Sequence, residues 1–291
     1  MQQTYGASGR TSADDSDRLT RSSRMLLIVF ICLTFAATSA LLVLAPQTDR
    51  LFSWTIQPPL SAAFLGAGYG AGCVLSLLAF RSRSWADARL ALVTVLLFSV
   101  LTLAATILHL DRFHLSAPGV PARFAAWVWL VVYVAVPFAL AAVVLLQGRR
   151  AGPAASASRA LPLPLVLVLG LLGAVMVALG VCLFFAPAVG ARVWPWPLTP
   201  LTARMTGAWL LALGVAAGLA LRESRPAHLR IPAAALVVFA ALQLVALLAY
   251  GNAVAWGSVA AIVYVVGLLA VLGAGLVGLR VARPGRPEED S

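Results

Sequence analysis

Three stretches of the chain carry no charged residue at all: 51–80 is 30 residues long, 160–191 is 32 and 231–279 is 49. A helix needs about 20 apolar residues to cross the hydrocarbon of a bilayer, so each run is long enough for at least one crossing. With 62% hydrophobic and 11% charged residues, the chain has too few charges to cover a water-facing surface. These observations predict an all-α integral membrane protein. Eight spans follow from the apolar runs and the polar breaks between them, at 25–45, 60–80, 90–110, 124–147, 161–185, 201–221, 231–250 and 257–279. Residues 1–24 read as a disordered polar tail, 148–160 as a polar linker and 280–291 as a charged tail. The first span follows a basic start, but it is too long for a signal-peptide core and lacks a clear cleavage site, so it reads as a retained helix.

All 21 basic residues are arginine, and they sit in short clusters between the apolar runs. That is the pattern of loop anchors at a membrane face rather than of a nucleic-acid-binding surface. Sixteen arginines fall in the two tails, the 148–160 linker and the loops after spans 2 and 6, against five (Arg50, Arg112, Arg123, Arg192, Arg204) on the other side. By the positive-inside rule both termini face the cytoplasm, and the tryptophan-rich loops face outward.

A period of 141 residues runs through the chain. Residues 45–109 align onto 186–250 without a gap and with 18 identities, among them Pro46/Pro187, Pro59/Pro200, Gly66/Gly207, Arg81/Arg222, Arg89/Arg230 and Phe98/Phe239. After a shorter loop in the second half, Tyr133 pairs with Tyr264. The chain therefore reads as two four-helix repeats, 25–147 and 161–279. An even number of spans gives both repeats the same orientation, and two facing copies commonly enclose a cleft.

Residues 193–209 are the least generic part of the chain, with three tryptophans, three prolines, three threonines and Arg204 between two apolar runs. Thr199 is placed to N-cap a helix that starts at Pro200, where a missing N–H costs nothing. Arg204 then lies one turn inside, near the positive end of the helix dipole. The string from Trp194 to Arg204, W-P-W-P-L-T-P-L-T-A-R, resembles a loop of uncharacterised multi-pass membrane proteins of GC-rich bacteria. The resemblance covers this loop and its flanking spans, and it implies the class of protein without an activity.

Arg204 is the sharpest candidate site, and its counterpart in the first repeat is Ala63. A guanidinium beside free helix N–H groups suits a phosphate or carboxylate, with Thr202 and Thr206 adding hydroxyls. The plainer reading is an arginine that snorkels to lipid headgroups. Trp54, Trp127, Trp129, Trp194, Trp196 and Trp256 fall near one face and read as an aromatic belt; alternatively, Trp194 and Trp196 form a lid over the inter-repeat cleft. Glycines 66, 68, 70 and 72 superficially resemble a phosphate loop, but no strand precedes them and no Lys-Ser/Thr follows, so close helix packing is expected. His109, Asp111, Arg112 and His114 cluster in one loop without metal-ligand spacing and read as solvated. Cys32, Cys73 and Cys182 lie within spans and read as small buried hydrophobes. Gln243 is the strongest neutral polar group within a span and is expected to hydrogen-bond between helices.

No carboxylate falls within the eight spans as bounded above, which leaves proton- or sodium-coupled transport without its usual residue. No paired carboxylates, zinc-hydrolase or nucleophile-elbow motifs appear, and no cofactor is called for. The expected function is therefore binding or passage of an amphipathic or anionic small molecule or lipid through an outward-facing cleft. A scaffold whose glycine faces pack a partner protein's helices comes second, and a membrane enzyme acting on lipid-linked substrates last. The expected ligand set is Arg204, Thr202, Thr206, Trp194 and Trp196.

Overall fold

The computed structural model describes residues 18–82, 84–149, 161–223 and 229–283. Eight long helices make up the described chain: α1 Arg21–Val43, α2 Pro59–Ser82, α3 Trp85–Leu108, α4 Val120–Gly148, α5 Leu163–Phe185, α6 Pro200–Glu223, α7 Arg230–Tyr250 and α8 Val259–Val281. Each is long and apolar enough to cross a membrane, and the architecture is that of a multi-pass membrane protein. Observed and expected bounds differ by a few residues, mostly because the helices extend beyond their apolar segments. Arg21–Arg24, expected in the tail, form the first turn of α1, where Thr20 Oγ1 accepts the Ser23 N–H as N-cap. Asp87 enters the first turn of α3, where the helix dipole favours a negative charge. Most of the 1–24 tail, nearly all of the 148–160 linker and most of the last tail lie outside the described residues.

The capping expectation at α6 is met. Pro200 is its first residue, and Thr199 Oγ1 accepts the Thr202 N–H at 3.3 Å. Ser258 plays the same part for α8 through Ala261 N.

The bundle is organised around α2 and α6, in which 72% and 67% of the most apolar window is buried, against 17% for α1 and 22% for α4 and α5. These two central helices have the lowest mean hydropathies of the eight, 1.7 and 1.5, whereas α1, α4 and α5 reach 2.6 to 2.8. Lipid tails are as apolar as leucine, so the most hydrophobic helices gain nothing by turning inward, while small residues let backbones approach. A Cβ on Gly207 would stand 2.8 Å from the Gly180 carbonyl oxygen and 2.9 Å from Phe184 N. The α5–α6 crossing therefore requires glycine there. In α2, Gly66 meets Leu41 and Leu42 of α1, and Gly68 admits the Trp209 indole to within 2.6 Å of its missing Cβ.

The most extensive helix contacts pair α1 with α2 and α5 with α6; α2 with α7 and α3 with α6; and α7 with α8 and α3 with α4. At one end of the bundle the interhelical loops pack together. Trp54 bridges Phe113, and the Ala255 N–H donates to the Pro195 carbonyl. At the other end Gln147 closes α4 onto the start of α1, taking hydrogen bonds from Thr20 and Ser23 and donating to the Arg18 carbonyl at 3.0 Å.

Candidate functional site

The candidate site with the most developed geometry is a cavity of about 310 Å³ among α1, α2, α3 and α4, within the usual size range of small-molecule sites. Its wall is almost wholly apolar. Phe30, Leu33 and Ala37 of α1 stand on one side and Phe124, Val128, Val132 and Val136 of α4 on the other. Behind them lie α2 and α3, with Trp209 of α6 reaching in. From Phe124 to Val136 the lining spans about 18 Å of helix, roughly half the hydrocarbon thickness. Phe124 and Val128 at the rim are also exposed, so the cavity opens sideways between α1 and α4.

Polar groups on this wall are few. Thr34, Ser53, Thr94 and Ser99 donate their hydroxyls to the carbonyls of Phe30, Ala125, Leu90 and Leu96. Tyr69 and Tyr133 are buried and face each other, with their hydroxyl oxygens 2.6 Å apart. An aromatic cluster fixes this pair: Phe98 stacks on Trp209 at 3.9 Å, Tyr69 meets Trp209 edge-on at 5.4 Å, and Trp129 lies 4.4 Å from Tyr133.

The second half holds a smaller space, about 50 Å³, lined by Leu172, Met176, Leu213, Leu236, Val271 and Ala274 among others. Its tyrosine is covered. Tyr264 donates to Gln243 Oε1 at 3.0 Å, and Trp194 and Trp196 pack on its ring at 5.8 and 5.1 Å. Gln243 Nε2 in turn donates to the Phe64 carbonyl of α2 at 3.0 Å, which is the interhelical bond expected of it.

Arg204 lies elsewhere, half-buried at the loop-packed end. Its Nη1 is 2.7 Å from His109 Nε2. A guanidinium only donates, so His109 is neutral in this contact and accepts through Nε2. Burial and the neighbouring Arg204 charge lower the His109 pKa from its usual 6.5. The near carboxylate, Asp111, is 3.0 Å from Arg112. His109, expected to be solvated, is instead the partner of the candidate arginine; His114 Nε2 is 3.1 Å from Thr55 Oγ1 and its Nδ1 2.9 Å from the Phe52 carbonyl. No group of three or more metal-ligating side chains occurs among the described residues.

The expected ligand set separates into parts. Thr202 is fully buried, with its Oγ1 taking the Thr199 hydroxyl hydrogen at 2.9 Å, and Thr206 is equally buried. Trp194 and Trp196 meet each other, Phe64 and Tyr264, with Trp196 Nε1 donating to Ser61 at 3.0 Å. Among the described residues neither tryptophan forms a hydrogen bond or cation–π contact with Arg204. The aromatic belt is also corrected. Trp54, Trp194 and Trp196 are buried because their loops fold inward over the helix ends, and Trp129 because it lies on the inward face of α4 and donates to Thr106 of α3, leaving Trp127 and Trp256 about half exposed. None of the three cysteines is buried; Cys32 is exposed and the other two are half-covered. No sequence spacing signals the Tyr69–Tyr133 pair, whose members lie 64 positions apart on different helices. No family model, curated protein or solved structure matches the chain.

Proposed function

We propose that this is a non-enzymatic protein of the bacterial inner membrane that binds an amphipathic molecule in the cavity of its first half. The carrying observation is that cavity: about 310 Å³, opening between α1 and α4 on an otherwise lipid-like surface, with a polar pair held inside it. A lipid or other amphiphile enters such a space from the bilayer without leaving hydrocarbon.

The reading includes two same-orientation four-helix repeats, α1–α4 and α5–α8, with both termini cytoplasmic. Support comes from the contacts, because every major pairing has a mate under the 141-residue shift. Gly66 and Gly207 admit α1 and α5 respectively, and the equivalent positions Gly68 and Trp209 touch each other as residues at a two-fold axis do. Positions 72, 75, 76, 94 and 95 line the large cavity, and their counterparts 213, 216, 217, 235 and 236 line the small one. Leu213 stands where the first half has Gly72. Duplication followed by filling of one copy accounts for the difference in size between these two equivalent spaces.

The test is to extract purified protein with organic solvent and identify co-purifying amphiphiles by mass spectrometry, for the wild type and for Gly72→Leu. A Cβ at position 72 meets only ordinary contacts, Trp209 at 3.6 Å and Thr34 at 3.8 Å, and Gly72 lines the cavity, so a leucine there is expected to enter it, with circular dichroism checking that the variant folds. The wild type is expected to retain one dominant molecule and Gly72→Leu at least tenfold less of it. Equal content in both overturns the reading.

An anion at Arg204 is the second ligand reading, favoured by a guanidinium that has an imidazole and no carboxylate partner among the described residues. Phosphate binding lost in Arg204→Ala and partly kept in Arg204→Lys supports it. A scaffold role draws on the groove along α5 and α6 lined by Gly170, Gly173, Gly214 and Gly218. Of these, Gly170 and Gly218 are open, whereas Gly173 and Gly214 already close on each other, just as glycines 66, 68 and 70 are occupied within the chain. The enzymatic reading ranks below both.

A further inference from the structure

Two phenols in hydrogen-bond contact have two hydrogens between them, and the contact uses one. Tyr69 and Tyr133 are linked at 2.6 Å, and neither hydroxyl has another hydrogen-bond partner among the described residues. One phenolic O–H is therefore left over, on residues more than nine-tenths buried that both line the cavity. At this depth of a bilayer no bulk water stands ready to take it, and an unpaired buried donor is costly. Thr34, Ser53, Thr94 and Ser99 keep lone pairs after donating to backbone carbonyls, but none of them is in hydrogen-bond contact with either tyrosine hydroxyl. Ser76 lies seven residues from Tyr69 along α2, about 10 Å away by helix rise.

Resting on the cavity reading above, we infer that the ligand is an otherwise apolar molecule carrying an uncharged carbonyl oxygen, as in an ester, ketone or quinone, which accepts the spare hydrogen of the Tyr69–Tyr133 pair. A carbonyl answers the donor without bringing a donor of its own that would need a partner in the same apolar wall. A carboxylate or phosphate is disfavoured, since no arginine or histidine among the described residues lines the cavity to offset the desolvation of a charge. The pair has a further property. Whichever tyrosine donates to the other, removing one hydroxyl frees the survivor to donate to the ligand, so the two act as alternates rather than as a fixed donor and a fixed spacer.

The experiment uses the full-length protein in mild detergent micelles and two probes, the dibrominated methyl ester of a long-chain fatty acid and a dibrominated hydrocarbon of the same length. Bromine quenches the fluorescence of Trp129 and Trp209 on the cavity wall. The ester is expected to bind about tenfold more tightly than the hydrocarbon, the worth of roughly one good hydrogen bond. Tyr69→Phe and Tyr133→Phe singly keep most of that preference. Tyr69→Phe/Tyr133→Phe abolishes it, leaving hydrocarbon binding unchanged, which also shows the double variant to be folded. Equal binding of ester and hydrocarbon by the wild type, or a preference that survives in the double variant, overturns the carbonyl inference. In that case loss of both probes in Gly72→Leu still upholds the cavity. Quenching by neither probe, or quenching unaffected by Gly72→Leu, overturns the cavity reading itself.

Discussion

Gln243 gives the sharpest test of how the two halves are joined. Its side chain is fully buried and ties three helices, donating to the Phe64 carbonyl of α2 at 3.0 Å and accepting from Tyr264 of α8 at 3.0 Å, while its own backbone belongs to α7. Replacement by leucine keeps the volume and removes both bonds. Hydrogen bonds between membrane helices average about 0.6 kcal/mol, so the two together contribute roughly 1 kcal/mol. The larger part is what remains behind: the hydroxyl of half-buried Tyr264 without its acceptor, at about 1–3 kcal/mol. Gln243→Leu is thus expected to destabilise by about 2–4 kcal/mol. Tyr264→Phe alone leaves the Gln243 carbonyl oxygen unpaired and costs about 1–2 kcal/mol. In Gln243→Leu/Tyr264→Phe no polar group is stranded between the two positions, so the double variant is expected to be no less stable than Gln243→Leu alone. The coupling is then about 1–2 kcal/mol, the part that both single variants lose. Unfolding by sodium dodecyl sulfate in mixed micelles, followed by circular dichroism, measures the cycle. Strict additivity of the two single variants would falsify the bridging role.

Three further outcomes follow from the same geometry. Gly207→Ala drives a methyl against backbone atoms at 2.8 and 2.9 Å and is expected to lower stability by about 1–3 kcal/mol, whereas Gly218→Ala meets nothing within 4 Å and is expected to be neutral or slightly stabilising. Thermal unfolding in detergent compares the two, and equal losses contradict the close crossing of α5 and α6. His109 accepts from Arg204 only when neutral, and its folded pKa lies below the unfolded value of 6.5, so the folded state takes up its proton less readily. Its contribution is complete above about pH 6.5 and is lost as the pH falls toward and through the lowered folded pKa. A melting temperature scanned from pH 8 to 5 is expected to fall more steeply in the wild type than in Arg204→Ala; parallel curves refute the pairing. Reporter fusions in the α2–α3 and α5–α6 loops are expected to report opposite sides of the membrane, and labelling of both from outside contradicts the arginine-based orientation.

Much of the fold is legible in the chain because crossing a bilayer is a local property. Apolar length places eight spans within a few residues of the helices found, and Thr199-Pro200 marks the start of α6 through a bond three residues long. The tertiary relations are of another kind. Hydropathy measures transfer into lipid, so as a guide to the core it points the wrong way: the least apolar helices, α2 and α6, form the centre and the most apolar stay at the surface. Nor does a tryptophan near a span end reveal whether its loop turns toward headgroups or folds inward. That choice depends on Phe64, Ser61 and Tyr264, which are distant in sequence from Trp194 and Trp196. One signal lies in the 141-residue alignment, where Gly72 faces Leu213 and Gly68 faces Trp209: a difference in volume at aligned positions marks where the two proposed repeats differ. Which of those differences leaves a cavity, and that Tyr69 and Tyr133 meet inside it with one hydrogen to spare, was decided only when the helices packed. Whether a position in a span is filled or empty is set by the sum of side chains from four helices, and no local stretch of sequence contains that sum.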